Sequence, residues 1–530
     1  MSSCGFRQKF GATPSGSVSG GAVAQLIGVG VVDMHLTGGK PDVSYFRSRI
    51  QKHNNFASEV VSESFMGNIN WGCEASLTLN KTCDLVSDIF IVLDRPGIEG
   101  VAENSGSSRN PYSSSSRPSR ASRRYKYKCK QATRHVAYPT RTNGARSFAD
   151  DAKFDARDFR KATRKRVVEY LEDEEQGDFG DDFDNSDAES LLSDLEDDAA
   201  AGGDHELPEH YAHWVNSLGH ACIERVSVSL AGVLAQMLTG RFMNAWAELT
   251  GQVGKEQDDL IGTYATRKEL IEASAQDQRL YIQVPFSFTR FTGRALPLLS
   301  MRFHGCTISL ALVPLQRLIQ VSGPNVTVIK TGDGQKISNS DVHAHLDVTN
   351  VFLDLQERKR FATGCFNMIW EQVQTYVAPS KGATIRAPLS MNHPSRCLIF
   401  MVQRKEVAEQ NDTFDYSGVD PDSDPVEFAQ LVVNTTPRFA REGSYFRKVV
   451  PYTSFPRVLK RGRWIYAMSF GLNAATEHTN GTLNFSRVDS CQLLLDLHPD
   501  MADQHVHLHV YNFTVNIVEF KKGLVNVAYQ

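Results

Sequence analysis

Three alternating histidines near the end of the chain have a spacing that could support shared chemistry. His505, His507 and His509 are two residues apart, so on a β-strand they share one face. Three imidazoles on one face could hold a zinc ion. They could also form a pH-sensitive contact between subunits, because histidine titrates near neutral pH. No cluster of carboxylates or cysteines accompanies them in the sequence, and the pattern therefore favours an ordinary exposed strand face.

The remaining motifs do not indicate catalysis or cofactor binding. The glycine-rich stretch 331–336 lacks the spacing of a phosphate-binding loop and is typical of a hairpin turn. No Gly-x-Ser-x-Gly elbow, HExxH pair or dinucleotide fingerprint occurs. The nine cysteines include no CxxC spacing, so they indicate neither a disulfide framework nor a zinc site. We therefore predict that the chain is not an enzyme and has no catalytic residue, cofactor or metal.

The elements that must position any site are mainly β-strands. In the stretch 280–313, short aromatic or alternating runs are separated by the chain breakers Gly293 and Pro297. Within it, Cys306–Leu312 alternates small or polar residues with apolar ones, as a half-buried strand does. Similar runs predict strands at 62–68, 74–79, 87–93, 223–230, 397–403, 430–433, 464–472, 481–485, 491–497 and 506–520. This pattern predicts an all-β fold of antiparallel sheets.

Three segments predict helices. The clearest begins at Thr239, a suitable N-cap, and ends at Gly251, with Phe242, Trp246 and Leu249 at helical spacing between them. The other two helices are predicted at 266–275 and 356–370. The gaps 405–429 and 434–462 are rich in Gly, Pro, Asp and Arg and are predicted to be loops.

The net charge of −4 conceals one strongly polarised insertion. Residues 117–166 hold 17 Lys and Arg against 4 acids, whereas residues 167–206 hold 17 acids and no Lys or Arg. A solvated loop is the favoured interpretation. Three alternatives are open: the basic arm binds nucleic acid or an anionic membrane, the acidic arm with Leu191, Leu192 and Leu195 forms a short helix for a partner groove, or the two arms pair between subunits.

Several blocks, taken together, resemble the major capsid proteins of the nucleocytoplasmic large DNA viruses. The first, Gln25–Ala57, contains Leu-Thr-Gly, Tyr-Phe-Arg and His-x-Asn-Phe-Ala elements. The later blocks follow in the family's order: Arg241–Thr250, the stretch 280–313 with Ala295–Leu298, Val351–Ala362, Asn392–Pro394, Gly481–Arg487 and Val510–Val518. The resemblance covers nearly the whole chain except 98–210 and about 405–430.

The resemblance implies two tandem eight-stranded antiparallel jelly rolls with a few short helices. The expected organisation is a flexible arm at 1–24, a first jelly roll at 25–320 with the charged insertion 98–210, a linker at 321–349 and a second jelly roll at 350–530. It also implies a structural shell protein that forms homotrimeric, pseudo-hexameric capsomers of an icosahedral virion. The alternatives are a minor capsid protein of the same type of virus and a jelly-roll module that binds glycans.

Partners follow from the same resemblance. The chain is expected to bind itself, neighbouring capsomers, minor capsid and penton proteins, with contact to an internal viral membrane also considered, whereas nucleic acid is not expected. No secretion signal or membrane span is predicted, so synthesis in the host cytoplasm and assembly into the virion are expected. Candidate subunit contacts are the N-terminal arm, Gln356–Ala362 with Arg358, Lys359 and Arg360, and Arg438–Arg463.

Overall fold

Antiparallel β-strands make up most of the chain in the computed structural model. The structure describes residues 53–102, 210–252, 254–323, 326–421 and 423–529. The predicted arm 1–24, most of the block 25–57 and positions 103–209 of the charged insertion lie outside the described residues. The observed sheets confirm the predicted all-β class.

The first half of the chain forms two four-stranded antiparallel sheets and two short ribbons. One sheet has the order β1-β12-β3-β8, the other β2-β9-β6-β7, and the ribbons pair β10 with β5 and β11 with β4. The strands are β1 (Phe56–Ser64), β2 (Glu74–Thr78), β3 (Leu85–Arg95), β4 (Ile98–Ala102), β5 (Tyr211–Trp214), β6 (Ile223–Leu230), β7 (Val233–Leu238), β8 (Gln278–Gln283), β9 (Cys306–Leu312), β10 (Ile319–Ser322), β11 (Val326–Lys330) and β12 (His343–Leu353). The helices here are α1 (Leu218–Ala221), α2 (Gly240–Thr250), α3 (Asp258–Ile261) and α4 (Arg267–Ser274).

The second half repeats this architecture with longer strands. A six-stranded sheet has the order β13-β21-β15-β18, with β19 on β15 and β22 on β21, and a four-stranded sheet has the order β14-β20-β16-β17. The strands are β13 (Cys365–Lys381), β14 (Thr384–Pro388), β15 (Pro394–Arg404), β16 (Val426–Val433), β17 (Thr436–Glu442), β18 (Tyr466–Ser469), β19 (Leu483–Asn484), β20 (Cys491–Leu497), β21 (His505–Lys521) and β22 (Leu524–Val527). The helices are α5 (Leu355–Thr363), α6 (Lys405–Glu409) and α7 (Val450–Ser454), the last preceded by a π-helical turn at Tyr445–Val449.

Helix α2 is the element that the sequence predicts best. The Thr239 side chain accepts a hydrogen bond from the Phe242 amide, and the helix ends at Gly251. Its first residue must be glycine, because a Cβ at Gly240 would lie 1.9 Å from the carbonyl oxygen of His220. The predicted apolar face is buried and holds the helix against the sheets.

Helix α2 also joins the two halves. The Trp246 ring stacks on Phe513 of β21 with centroids 4.5 Å apart, and Phe242 lies 5.6 Å from Tyr511 of the same strand. Nearby, Trp370 of β13 donates a hydrogen bond from Nε1 to the carbonyl oxygen of Ala235 in β7 at 3.1 Å. Aromatic side chains of this size contribute most where they are fully buried, so the contact between the halves is part of the core.

The predicted linker 321–349 is wrong. Within it, β11 pairs with β4, and β12, which begins at His343, pairs along β3 of the first half. Gly332 and Gly334 have φ of 93° and 64° and form the turn after β11, as the glycine-rich stretch 331–336 predicts. Helix α5 instead separates the strands of the two halves.

Two other segments also differ from the sequence predictions. The helix predicted at 356–370 ends at Thr363, because the run after Gly364 is rich in aromatic and apolar residues and pairs with β21 along 17 positions. The predicted loop 434–462 contains β17, which pairs with β16, followed by the π-helical turn and α7. Arginine and proline there had obscured an edge strand and a short helix.

Candidate assembly surface

Exposed apolar side chains are concentrated in the segment 438–463, one of the three candidate contacts from the sequence. Within these residues, large apolar side chains are exposed at five positions: Phe439, Tyr445, Val449, Tyr452 and Val458. Tyr452 is the extreme case, with 76% of its surface exposed. Contiguous exposed apolar surface commonly marks a site of association, so this segment is a candidate contact.

The helical part of the segment places three of these side chains on one face. Tyr445, Val449 and Tyr452 follow each other at helical spacing through the π-helical turn and α7. Phe446 and Val450 point the other way and are 1% and 8% exposed. The segment is therefore amphipathic, with an inner face packed on the sandwich and an outer face available for contact.

A partly buried polar network fixes this helix to the second sandwich. The Arg447 guanidinium donates to Asp424 Oδ2 at 3.0 Å from Nε, and its Nη2 lies 2.9 Å from the same oxygen. Asp424 also accepts a hydrogen bond from the Tyr466 hydroxyl, and Arg447 lies 4.2 Å from the centroid of the Trp464 ring. Burial, together with Asp424, raises the pKa of Tyr466 well above its usual value, so the hydroxyl stays a donor. Charge-assisted bonds of this kind hold the helix in one orientation.

The same segment is also fastened to the first sandwich by ion pairs. Arg457 lies 2.8 Å from Glu256, Lys460 lies 2.8 Å from Asp258 and Arg463 lies 3.1 Å from Glu248. Four other bases of the segment are in none of the ion pairs among the described residues: Arg438, Arg441, Lys448 and Arg461. The outer surface is therefore both apolar and positively charged.

A buried ion cluster fixes how the two sandwiches sit against each other. Glu371 of β13 is fully buried and pairs with three arginines: Arg290, Arg294 at 2.8 Å and Arg396 at 2.7 Å. Arg290 and Arg294 come from the first half, whereas Glu371 and Arg396 come from the second. Burial lowers the pKa of Arg396, and the Glu371 carboxylate opposes that shift.

Carbonyl oxygens offset the excess positive charge of this cluster. Arg396 donates from Nη2 to the carbonyl of Thr476 at 2.6 Å, and Arg290 donates to the carbonyl of Ala475 at 3.0 Å. The Arg290 guanidinium also lies 4.6 Å from the centroid of the Trp246 ring. The cluster is not visible in the sequence because its members are far apart along the chain. Its one signal is Glu371, the only acid in β13, since a charge in a buried strand requires a partner.

The second candidate contact, Gln356–Ala362, lies on helix α5. No residue of α5 is buried, and Leu355 at its start is 77% exposed. Arg358 is 3.0 Å from Asp84 of the first half, so part of this basic run serves an internal contact. The third candidate, the N-terminal arm, lies outside the described residues.

The three alternating histidines do not form an exposed face, contrary to the sequence prediction. His505 is exposed, His507 is half-buried and His509 is 8% exposed, inside the six-stranded sheet. Burial, with a smaller effect from Arg241 and His507, lowers the pKa of His509 to about 3. In the described ranges no group of three or more His, Cys, Asp or Glu residues is placed to hold a metal ion.

We expect the free energy of unfolding to fall as the pH drops from 7 to 5. Burial keeps His509 and His220 neutral in the folded chain, with pKa values of about 3 and about 4 against an ordinary 6.5. The contribution of each neutral histidine to the free energy of unfolding is full above pH 6.5. It decreases as the pH falls toward the pKa of that histidine in the folded chain. The loss is about 2 kcal/mol for each histidine at pH 5.

Urea unfolding of the wild-type chain and of His509→Gln at pH 7 and pH 5 measures this effect. The variant should lose less stability between the two pH values, whereas His505→Gln, exposed on the same strand, should keep the wild-type difference. Equal pH dependence in all three chains would contradict the role of His509.

None of the described helices is both long enough and apolar enough to cross a membrane.

Two family models match the chain and meet at helix α5. Residues 44–113 and 197–354 match the N-terminal domain of major capsid proteins, and residues 357–526 match the large eukaryotic DNA virus major capsid protein. The chain is 24% identical over 507 residues to the major capsid protein of Paramecium bursaria Chlorella virus 1, spanning 90% of this chain and 87% of that protein. It is 26% identical over 317 residues to the major capsid protein of Rana tigrina ranavirus, spanning 54% of this chain and 67% of that protein.

Solved structures have the same fold at low sequence identity. The chain in the PBCV-1 virus capsid aligns with a TM-score of 0.59 and 17% identity, over 92% of this chain and 100% of that one. The Faustovirus major capsid protein aligns with a TM-score of 0.58 and 10% identity, over 94% of this chain and 96% of that one. These alignments confirm the expected pair of tandem jelly rolls.

Proposed function

The chain belongs to the family of large eukaryotic DNA virus major capsid proteins, and we propose that three copies of it form one capsomer of an icosahedral shell. It is a structural protein of the virion and not an enzyme, and it associates with copies of itself in the capsid. Each chain carries two similar sandwiches, so three chains about a three-fold axis present six of them. Such a particle fits a lattice position with six neighbours.

The amphipathic helical segment of residues 445–454 is the proposed centre of the contact between subunits. Its outer face carries Tyr445, Val449 and Tyr452, while its inner face is held by the Asp424 network. Obligate interfaces bury more than about 2,000 Å² and are most apolar at the centre, with polar residues at the rim. Lys448 and Arg461 beside the helix suit that rim.

The rigid anchoring of this helix is the observation that supports the proposal most directly. An exposed loop with apolar residues must lose conformational entropy when it binds. Here ion pairs to both sandwiches already order the segment in the single chain. Association therefore orders few additional residues, which favours a stable trimer.

We expect the purified protein to have three times the 59.0 kDa mass of one chain. Size exclusion with light scattering at micromolar concentration measures this mass. The two salt concentrations are about 0.05 M and about 1 M, roughly one-third of and several times the physiological ionic strength. An apolar centre predicts a trimer at both salt concentrations. A monomer at both would overturn the proposed capsomer.

Contacts with minor capsid proteins, penton proteins and an internal viral membrane stay predictions, as does synthesis in the host cytoplasm. Family membership supports the contacts with other capsid components, because a shell needs connections between its capsomers. The predicted absence of a nucleic-acid partner also stays a prediction.

A further inference from the structure

A groove beside helix α7 has an apolar lining and a charged rim. Tyr452, Pro456 and Val458 line it, and the buried Phe455 lies behind them. Arg457, Lys460 and Glu256 complete the lining of a depression of about 500 Å³. A groove of this volume is large enough for a few apolar side chains of a bound segment.

The chain segment that supplies most of the groove's lining is strongly basic. The segment 438–463 holds eight Lys and Arg against one acid, Glu442. Four of these bases are paired with acids of the same chain, but Arg438, Arg441, Lys448 and Arg461 are not paired with any described carboxylate. A suitable occupant therefore has apolar side chains for the groove and carboxylates for these bases.

The acidic arm contains one segment that has this composition and is not adjacent to bases. Residues 188–198, Ala-Glu-Ser-Leu-Leu-Ser-Asp-Leu-Glu-Asp-Asp, hold three leucines and five acids and no base. They lie in the acidic arm, outside the described residues, so only their sequence enters the argument. The other apolar group of the acidic arm, Val167, Val168, Tyr170 and Leu171, directly follows the bases Arg164, Lys165 and Arg166, so it is a poorer match to a basic surface.

We propose that the groove beside α7 binds residues 188–198 of a neighbouring copy in the capsomer. This inference rests on the proposed trimer, because the groove adjoins the helix face that is the proposed subunit contact. Leu191, Leu192 and Leu195 occupy the apolar lining, and the flanking carboxylates pair with the unpaired bases. Among the alternatives that the sequence left open, this proposal corresponds to the one in which the acidic arm binds a partner groove.

Disulfide trapping between two differently tagged chains tests the proposal. One chain carries Leu195→Cys, the other carries Val458→Cys, and the two are co-expressed and mildly oxidised. We expect a disulfide-linked dimer that contains both tags, at least about tenfold more abundant than in co-expressed chains with only one of the two substitutions. Those single-substitution controls measure the background from the exposed thiols of Cys73 and Cys365.

Each outcome separates this inference from the proposed function. Trimers of normal mass without the mixed dimer would overturn the docking of 188–198 and leave the capsomer standing. A third sample is a single chain that carries both Leu195→Cys and Val458→Cys. If a disulfide forms only within that chain and not between chains, the groove binds the chain's own arm and the proposal is overturned. Absence of trimers in the wild-type chain would overturn the proposed capsomer itself.

Peptide binding gives a second readout that does not need the full arm. A labelled peptide of residues 188–198 is titrated into trimers that lack residues 167–206, and fluorescence anisotropy reports binding. Replacing its three leucines by serine should weaken binding at least about tenfold, since the buried apolar contacts are lost. Lys448→Glu with Arg461→Glu in the trimer should weaken it as well, whereas unchanged affinity in both cases would contradict the assignment.

Discussion

The Glu371→Gln variant is expected to lose about 3–5 kcal/mol of its free energy of unfolding. Gln keeps the shape of the side chain but removes the one carboxylate among the described residues that pairs with Arg290, Arg294 and Arg396. In the part of the chain that the structure describes, the three buried guanidinium groups then have no negatively charged partner. Removing one member of a buried ion cluster costs more than the cluster contributes, because the remaining charges stay desolvated. The shift of the urea unfolding midpoint at pH 7 measures the loss.

An exposed ion pair provides the matched control for this substitution. Glu74 lies 2.5 Å from Arg225, and both side chains are about half exposed, at 46% and 51%. Glu74→Gln should therefore cost no more than about 1 kcal/mol. If Glu371→Gln were as mild as Glu74→Gln, the cluster would not hold the two sandwiches together.

The Tyr452→Asp variant is expected to be a folded monomer at concentrations where the wild-type chain is trimeric. The side chain is 76% exposed in the single chain, so a carboxylate there leaves the fold intact. In the proposed trimer the same carboxylate is buried at the subunit contact, and three-fold symmetry repeats that cost at each of the three interfaces. A loss of at least 2 kcal/mol per contact, typical of a central interface residue, weakens each interface about thirtyfold or more. Light scattering measures the mass, and circular dichroism checks the fold.

Tyr529→Asp is the matched control, because Tyr529 is also highly exposed, at 61%, and lies outside the segment 438–463. This variant should remain trimeric. A trimeric Tyr452→Asp protein would place the subunit contact elsewhere on the chain, whatever the result for Tyr529.

The sequence correctly predicts elements whose pattern of buried residues is visible within the element itself. The alternation in Cys306–Leu312 matches β9 at both ends, and the cap, apolar spacing and final glycine of α2 match the observed helix. In both cases the residues that define the element are neighbours in sequence, so their pattern is visible without the fold.

The sequence does not predict an element correctly where the contacts that stabilise the element come from residues distant in the chain. Strand β12 contains two histidines, an aspartate and an asparagine at 343–350 and resembles a linker until its pairing with β3 is known. Strand β17 has only one residue that is even half-buried, and it is a strand because β16 supplies its hydrogen bonds. The candidate contact Arg438–Arg463 is predicted from the sequence, but its apolar face is not, because packing on residues distant in the chain decides which of its apolar side chains are buried.

The cluster around Glu371 also constrains how such capsid genes can exchange parts. A crossover between two related viruses at helix α5 would take Arg290 and Arg294 from one parent and Glu371 and Arg396 from the other. Unless both parents carry the same charges at these positions, the recombinant buries unpaired ions and loses several kcal/mol, about the cost of removing one member of a buried pair. Selection should therefore preserve the two jelly rolls as one inherited unit, even though each has its own sheets.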